Sequence, residues 1–415
     1  MGLYESAVDF LCTRGDHRPK IVASTATIRR YQDQIRSLFD REARQFPPPG
    51  LIAGESFFAA ENRSRPGRVY VGLCAPGKSM KTAAVRALAS ILHTCERERR
   101  ERPPEAVDPY WTVVYYFNSL RELGGALRLV DDDVRQRLAY LANVDRIDPP
   151  RMPERRPELT SRIPARDVTT LLKRMERTLQ TGDALDVLLS TNMISVGVDI
   201  QRFGLMLVTG QPKTSAEYIQ ATSRVGRQVP GVIFTLYNWS RPRDLSHYER
   251  FVPFHSMMYR HVEASSVTPH SSRARDKALH SVFIGLLRLA DPKMSGNDGA
   301  RNFDPDDPLV REVQAYLLDR VKRNDPDEFE DAGDQLQAFI DGWVEVRHRH
   351  QNDLKYRSPG GTRPNALQTW LLQSAEEGQG HEFPRGTLNS LREVEKTSGL
   401  YFKNFRRPGI PGGRR

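Results

Sequence analysis

The sequence predicts an α/β fold, a largely parallel sheet wound on both faces by helices, followed by a mostly helical C-terminal domain. Three observations carry this. Five short apolar runs, at 68–75, 111–117, 185–190, 204–209 and 231–237, alternate with stretches of helical period. The run from Trp111 to Phe117 (WTVVYYF) is apolar at nearly every position, as a strand covered on both faces must be. Beyond Ser240 strand signals become scarce. Helical faces replace them at Leu279/Val282/Phe283/Leu286/Leu287, at Val310/Val313/Tyr316/Leu317/Val321 and at Leu336/Phe339/Ile340/Trp343/Val344.

Gly2 to Thr13 reads as an amphipathic helix, with Ala7, Val8, Phe10 and Leu11 apolar. Lys20 to Ala23 reads as a short strand. Ser24, Thr25, Ala26 and Thr27 follow, small hydroxyl residues suited to a strand end or to a cap on a helix from Ile28 to Phe39. Pro47-Pro48-Pro49-Gly50 cannot continue a helix or sit in a central strand, so residues 41–67 are expected to be a linker. The strand from Arg68 to Ala75 leads into Gly77-Lys78-Ser79 and a helix from Met80 to His93, whose apolar face is Ala84, Leu88, Ile91 and Leu92.

Gly72-x4-Gly77-Lys78-Ser79 formally matches a phosphate-binding loop. Gly72, however, sits inside the apolar run, and Pro76 removes an amide that such a loop would aim at phosphate. A strand-to-helix turn capped by Ser79 is the better reading. Cys95 to Pro109 is a charge run expected on the solvated surface, and Asp131 to Pro157, Pro- and Arg-rich with no clean period, is expected to be a surface insertion. Val168, Leu171, Leu172, Met175 and Leu179 mark one face of another helix. His255, His261, His270 and His280 match no metal spacing and read as structural or surface residues, and no metal site is expected. The tail from 401 to 415 carries Arg406, Arg407, Arg414 and Arg415 among Gly and Pro and is expected to be a basic appendage.

Composition narrows the classes. The 415 residues are 38% hydrophobic and 27% charged, which suits globular domains rather than a disordered chain. No apolar run reaches the roughly 18–20 residues of a membrane span, and the N-terminus lacks a secretory pattern. Cys12, Cys74 and Cys95 form no CxxC pair, which fits a reducing, cytoplasmic setting. A net charge of +10 favours a polyanionic partner, most simply nucleic acid.

The chemistry is concentrated between Leu185 and Arg227. Two strands flank a tight Gly197-Val198-Asp199 element, and Gln220, Arg224 and Arg227 share a short segment of helical character. Carboxylate and guanidiniums can meet at one edge of a sheet and face a phosphorylated ligand, and Ser190, Thr191, Gly197 and Asp199 are expected at the C-terminal edges of their strands.

These residues carry a resemblance. Ser24 to Thr27 is similar to the SAT motif closing the first RecA-like domain of superfamily 2 helicases. Phe117-Asn118-Ser119 resembles motif IV, and Ser190-Thr191 through Asp199 resembles motif V. Gln220 to Arg227 (QATSRVGR) resembles motif VI, whose usual form has Gly in place of Ser223. The order and spacing match the family over about residues 15 to 240. More narrowly, GLYESAVDFLCT, NMISVGVDI and GQPKTSAEYIQATSRVGR are similar to the helicase subunit of the DISARM phage-defence system.

The resemblance implies a RecA-like sheet with ATP and Mg²⁺ as cofactors. Residues 1–40 would then be a remnant of the first RecA-like domain, 68–240 the second, and 241–400 a helical C-terminal domain. Arg224 and Arg227 are implied as arginine fingers. Gly197, Asp199 and Gln220 would meet the nucleotide. Ser190, Thr191, Asn118 and Ser119 would meet the nucleic-acid backbone, DNA more than RNA, and Ser24, Thr25 and Thr27 would couple hydrolysis to domain closure. In this family the phosphate loop and acidic Mg²⁺ motif precede the SAT motif, where these 415 residues have only 23. A fragment, a late start codon, or a split gene whose partner supplies the first half would each account for that. The chain alone is therefore expected to hydrolyse ATP negligibly, with the missing half or other defence-system subunits as partners. A non-enzymatic nucleic-acid-binding remnant or regulatory module is the alternative.

Overall fold

The computed structural model describes the chain except residues 14, 16, 26, 49, 53–54, 61, 63, 65–66, 164, 196–198, 266, 351–352, 358–369, 375–382 and 389–415. In chain order its elements begin with α1 (Gly2–Cys12), α2 (Tyr31–Phe39), β1 (Arg68–Cys74), α3 (Met80–Glu101), α4 (Pro104–Trp111), β2 (Val113–Phe117) and α5 (Leu120–Leu129). A π-helical turn at Val130–Val134 leads to α6 (Arg135–Val144), β3 (Glu158–Leu159), α7 (Ala165–Met175), β4 (Val187–Ser190), β5 (Leu205–Thr209), α8 (Ser215–Thr222) and β6 (Gly231–Tyr237). Next come α9 (Pro242–Glu249), α10 (Phe251–Ser256), α11 (Ser272–Ala290), α12 (Pro292–Ser295), α13 (Pro308–Asn324) and α14 (Phe329–His350). Three short strands follow, β7 (Lys355–Arg357), β8 (Trp370–Ser374) and β9 (Arg385–Thr387).

The chain divides into two units. One comprises Ala23–Arg30 and Gln45–Ser265; the other draws on Met1–Val22, Tyr31–Arg44 and the described residues from 266 onward. The first holds a six-stranded, wholly parallel sheet in the order β1-β6-β5-β2-β4-β3. This is the parallel sheet flanked by helices that the sequence predicts, with β3 as an additional edge strand.

Strand alternation sorts its side chains to two faces. Val114, Tyr116, Leu188, Met206, Val208 and Ile233 pack against Leu171 and Met175 of α7, Tyr218 and Ile219 of α8, and Phe254 of α10. Val113, Tyr115, Phe117, Leu189 and Leu207 pack against Leu88 and Leu92 of α3, Leu123 of α5 and Leu138 of α6.

Several expectations are corrected. Lys20 to Ala23 is not a strand; Val22 is 87% exposed, and an extended run without a partner strand has no ladder to join. The helix expected from Ile28 starts at Tyr31, because Arg30 takes a positive φ of 53° that a helix cannot contain. The charge run from Cys95 is helical through Glu101 and then again in α4. Glu96 in that run is buried and accepts hydrogen bonds from Arg99 and Arg100. The presumed insertion from Asp131 holds α6, whose Leu138 and Ala142 are buried. It also holds Arg151, buried against the Trp111 ring at 3.5 Å and donating to the Trp111 carbonyl and to Asp186.

The boundaries expected at 40 and 240 also differ from the division by contacts. Leu3 of α1 belongs to the helical core, whereas Phe254, Met258 and Val262 belong to the sheet's core. The basic tail at 401–415 lies outside the described residues.

In the helical unit Trp343 stacks on Phe303 at 3.9 Å among Phe283, Phe339 and Leu287. His270 and His280 are buried in the same unit, 1% and 6% exposed, and burial pushes each down to about 4. Both therefore stay neutral when folded but take up protons below about 6.5 when unfolded. The unfolded state then binds more protons between about pH 4 and 6.5, so stability falls as pH drops through that window. Urea midpoints measured from pH 7 to 4.5 are expected to decline, and a His270→Leu/His280→Leu variant to decline less steeply. Equal slopes would show that these histidines are not the groups responsible.

Candidate nucleotide-facing site

The site is built on α8 and the turn after it. Thr214 caps the helix by accepting from the Glu217 amide at 3.1 Å, and both carboxylate oxygens of Glu263 accept from the Ser215 amide at 2.9 Å. Tyr218, Ile219 and Ala221 bury the inner face. Tyr116 donates to Glu217 at 2.7 Å, and Tyr70 and Thr222 share a hydroxyl–hydroxyl bond at 3.2 Å. The chain leaves the helix at Thr222 and turns sharply at Gly226, which has a φ of +70°. A Cβ there would lie 2.8 Å from the backbone of Gly231, so only glycine lets the turn approach the start of β6. The Gly226 amide donates to the Phe203 carbonyl at 2.8 Å, just ahead of β5.

This turn brings the predicted arginines together. The Arg227 guanidinium pairs with Asp199, and its Nε donates to the Ser223 carbonyl at 3.4 Å. Arg224 donates to the Ser195 carbonyl. Burial, with the Arg227 guanidinium nearby, pushes Arg224 below the usual guanidinium range, and Asp199 partly offsets this. Gln220 donates through Nε2 to the Thr27 hydroxyl at 2.8 Å, joining two segments 193 residues apart. Thr27 also borders a cleft of about 390 Å³ lined by Ile28, Arg29, Tyr259, Arg260 and Val262. Thr25 accepts from the Thr27 amide at 3.4 Å, and Ser24 is exposed. Gly197 lies outside the described residues.

One placement differs from expectation. Asp199 precedes β5 and faces the turn after α8, which sits beside the first residues of β1 and β6. The cluster is thus at the N-terminal edge of these strands, because α8 runs back along the sheet. Ser190 and Thr191 do end β4, at the opposite edge from the arginines. Both are buried, and the Ser190 hydroxyl points at the Tyr115 carbonyl at 3.5 Å. Asn118 ties the ends of β2 and β5 by donating to the carbonyls of Thr209 at 2.9 Å and Gly210 at 3.3 Å. Ser119 caps α5, accepting from the Glu122 amide at 3.2 Å.

The loop-like Gly72–Ser79 stretch is a capped turn. Gly72 lies within β1, where a Cβ would meet the Phe251 ring at 2.8 Å. Ser79 caps α3 by accepting from the Thr82 amide at 3.1 Å, and the Lys78 carbonyl accepts from the Trp239 indole at 3.0 Å.

Sequence reasoning missed Arg68, Tyr70 and Glu263. Arg68 donates to the carbonyls of Val225 at 2.7 Å and Ser223 at 3.1 Å, 157 and 155 residues away. Nothing in the local pattern of its strand announces such contacts.

Residues 157–229 match the model for the helicase conserved C-terminal domain. The DISARM protein DrmA of Bacillus paralicheniformis is 42% identical over 412 residues, covering 96% of this chain and 36% of that protein. The chain thus spans about a third of that relative's length. Among solved structures, the DUF1998 helicase MrfA bound to DNA and AMPPNP aligns with a TM-score of 0.44 at 14% identity, over 70% of this chain and 34% of that one. The Mycobacterium smegmatis helicase Lhr bound to ssDNA and AMP-PNP aligns with a TM-score of 0.45 at 14% identity, over 83% and 36%. Among the described residues no helix is long and apolar enough to cross a membrane. This chain carries a helicase conserved C-terminal domain and resembles the C-terminal part of a superfamily 2 helicase, with its similarity extending to the DISARM protein.

Proposed function

We propose that these residues form the finger-bearing half of an ATP-dependent nucleic-acid helicase or translocase, acting on DNA in bacterial antiviral defence. The observation that carries the reading is the meeting of Arg224, Arg227, Asp199, Gln220 and Thr27 around one turn. The 42% identity to a DISARM protein supports the defence context.

The donor set suits a phosphate. Arg227 already holds a carboxylate, and a guanidinium that pairs with carboxylate oxygens matches phosphoryl oxygens equally well. The Arg227–Asp199 pair is partly exposed, 29% and 60%, so it costs little to exchange Asp199 for another anion.

ATP supplies the phosphoanhydride whose cleavage drives translocation. Arg227 and Arg224 neutralise charge at the γ-phosphoryl oxygens, and Asp199, freed from Arg227, accepts from ribose hydroxyls. Gln220 reports on the site to Thr27 through their hydrogen bond. A phosphate loop and acidic residues for Mg²⁺ would be supplied by a first RecA-like domain. The exposed Ser119 is the group at this edge suited to nucleic-acid phosphates, Ser190 itself being enclosed.

The test is ATP turnover with and without DNA, for the 415-residue chain alone and mixed with a separately expressed first RecA-like domain. Negligible turnover alone and DNA-stimulated turnover in the mixture is expected. Robust turnover by the chain alone, abolished by Lys78→Ala, would overturn the assignment and restore a phosphate loop at Gly72–Ser79. DNA binding that is salt-sensitive and indifferent to ATP, with no turnover in either preparation, would identify a non-enzymatic binding module instead.

A further inference from the structure

Helix α8 is short, and its own last turn contains no basic residue. The carbonyls at its C-terminal end carry partial negative charge and lack intrahelical donors. Arg68, the first residue of β1, supplies a cation just beyond that end, at the turn after the helix. Its Nε donates to the Val225 carbonyl at 2.7 Å and its Nη2 to the Ser223 carbonyl at 3.1 Å. The two accepting peptides flank Arg224. The Ser223 carbonyl also accepts from Arg227 Nε at 3.4 Å, so one oxygen is shared by Arg68 and Arg227.

The geometry leaves little slack. Arg68 pairs in register with Gly231 across the β1–β6 ladder, which fixes its Cα against the start of β6. Its Cγ lies 3.2 Å from where a Cβ on Gly226 would be. Two residues along β1, the Tyr70 hydroxyl bonds Thr222 at 3.2 Å. Edge strand β1 therefore grips the end of α8 at two levels.

We propose that Arg68 is the positioning residue for the Arg224–Arg227 pair, holding the Ser223–Arg224 and Val225–Gly226 peptides of the turn that carries both guanidiniums. The proposal rests on the finger reading above. A planar, forked guanidinium reaches both carbonyls at once; a lysine ammonium in its place has the charge but reaches one. Glu263 provides the contrast, since its hydrogen bonds go to the opposite end of the same helix, at Ser215.

The experiment uses the full 415-residue chain and reads amide hydrogen exchange at Arg224, Val225 and Gly226. Those amides donate to Ala221, Thr222 and Phe203 respectively. Arg68→Ala is expected to speed their exchange by roughly tenfold or more, since hydrogen bonds from a charged donor are lost. Arg68→Lys is expected to fall between Arg68→Ala and the parent, and Glu263→Ala to speed exchange at Ser215 while sparing Arg224 to Gly226. In the mixture with a first RecA-like domain, Arg68→Ala is expected to lower kcat with KM for ATP unchanged, and to add no further loss in an Arg224→Ala/Arg227→Ala background.

Unchanged exchange at Arg224 to Gly226 in Arg68→Ala overturns the proposal, as does equal loosening of that turn by Glu263→Ala. If exchange responds as expected but Arg227→Ala leaves turnover intact, the positioning contact stands and the finger reading fails.

Discussion

Replacing Arg227 by alanine is expected to lower kcat for ATP in the reconstituted mixture by about 10³–10⁵-fold, the range for arginine fingers in related nucleotide hydrolases. The argument is electrostatic. Charge spreads over the γ-phosphoryl oxygens in the transition state, and a preplaced guanidinium is worth most where charge develops. Arg227 has the reach and a measure of freedom, because the ionic partner it meets among the described residues is Asp199, itself 60% exposed. Arg224 is more enclosed and donates to the Ser195 carbonyl, so Arg224→Ala is expected to cost turnover and also to loosen the helical turn ending at Ser195.

Arg227→Lys is not expected to rescue, since an ammonium lacks the planar fork. Steady-state kinetics at saturating DNA check this. Turnover within a few-fold of the parent in Arg227→Ala would remove the finger assignment and leave the ion pair to Asp199 as a surface contact.

Asp9→Ala is expected to destabilise the helical unit by about 3–5 kcal/mol, the cost of breaking a buried ionic cluster by removing one partner. Asp9 is 3% exposed and accepts from Arg18 at 2.7 Å, from Arg320 at 3.0 Å, from Tyr316 at 3.0 Å and from Arg41. Burial alone would raise its carboxyl, but the hydrogen bonds from Arg18, Arg41 and Tyr316 outweigh it and hold the group below the usual carboxylate range. Arg320, 1% exposed, also pairs with Glu5 and donates to the Leu38 carbonyl at 3.0 Å.

The cluster thus joins α1, α2 and α13. Without Asp9, three guanidiniums remain with one carboxylate among them. Urea-dependent hydrogen exchange of peptides from α11 and α14 reads the helical unit separately from the sheet. A loss under about 1 kcal/mol, the scale of an exposed pair, would mean that the cluster is solvated.

Much of this protein can be read from its chain. The strands β2 and β4 are legible because a strand covered on both faces must be apolar throughout, as VVYYF and VLLS are. α11, α13 and α14 are legible because each must turn one apolar stripe inward. The pairing of Gln220, Arg224 and Arg227 on one short segment is legible for the same local reason.

What escaped is what depends on partners. Helix α6 hides among charges because only one narrow stripe of it is buried. Strand β3 is two residues long and exists only because β4 is beside it. The run from Lys20 to Ala23 has strand composition and no strand to pair with. α1 is legible as an amphipathic helix, but its packing against α11 in the helical core is not.

The sequence by itself determined the order of strands and helices and the presence of two arginines after a short helix, since these follow from local period and propensity. Only the tertiary structure decided which groups meet those arginines. Asp199 faces Arg227, Thr27 meets Gln220 and Arg68 holds the turn because parallel pairing of β1 with β6 and the backward run of α8 bring distant peptides within hydrogen-bond reach. The last two of these contacts are set by register and packing across more than a hundred residues of chain, and no local pattern encodes them.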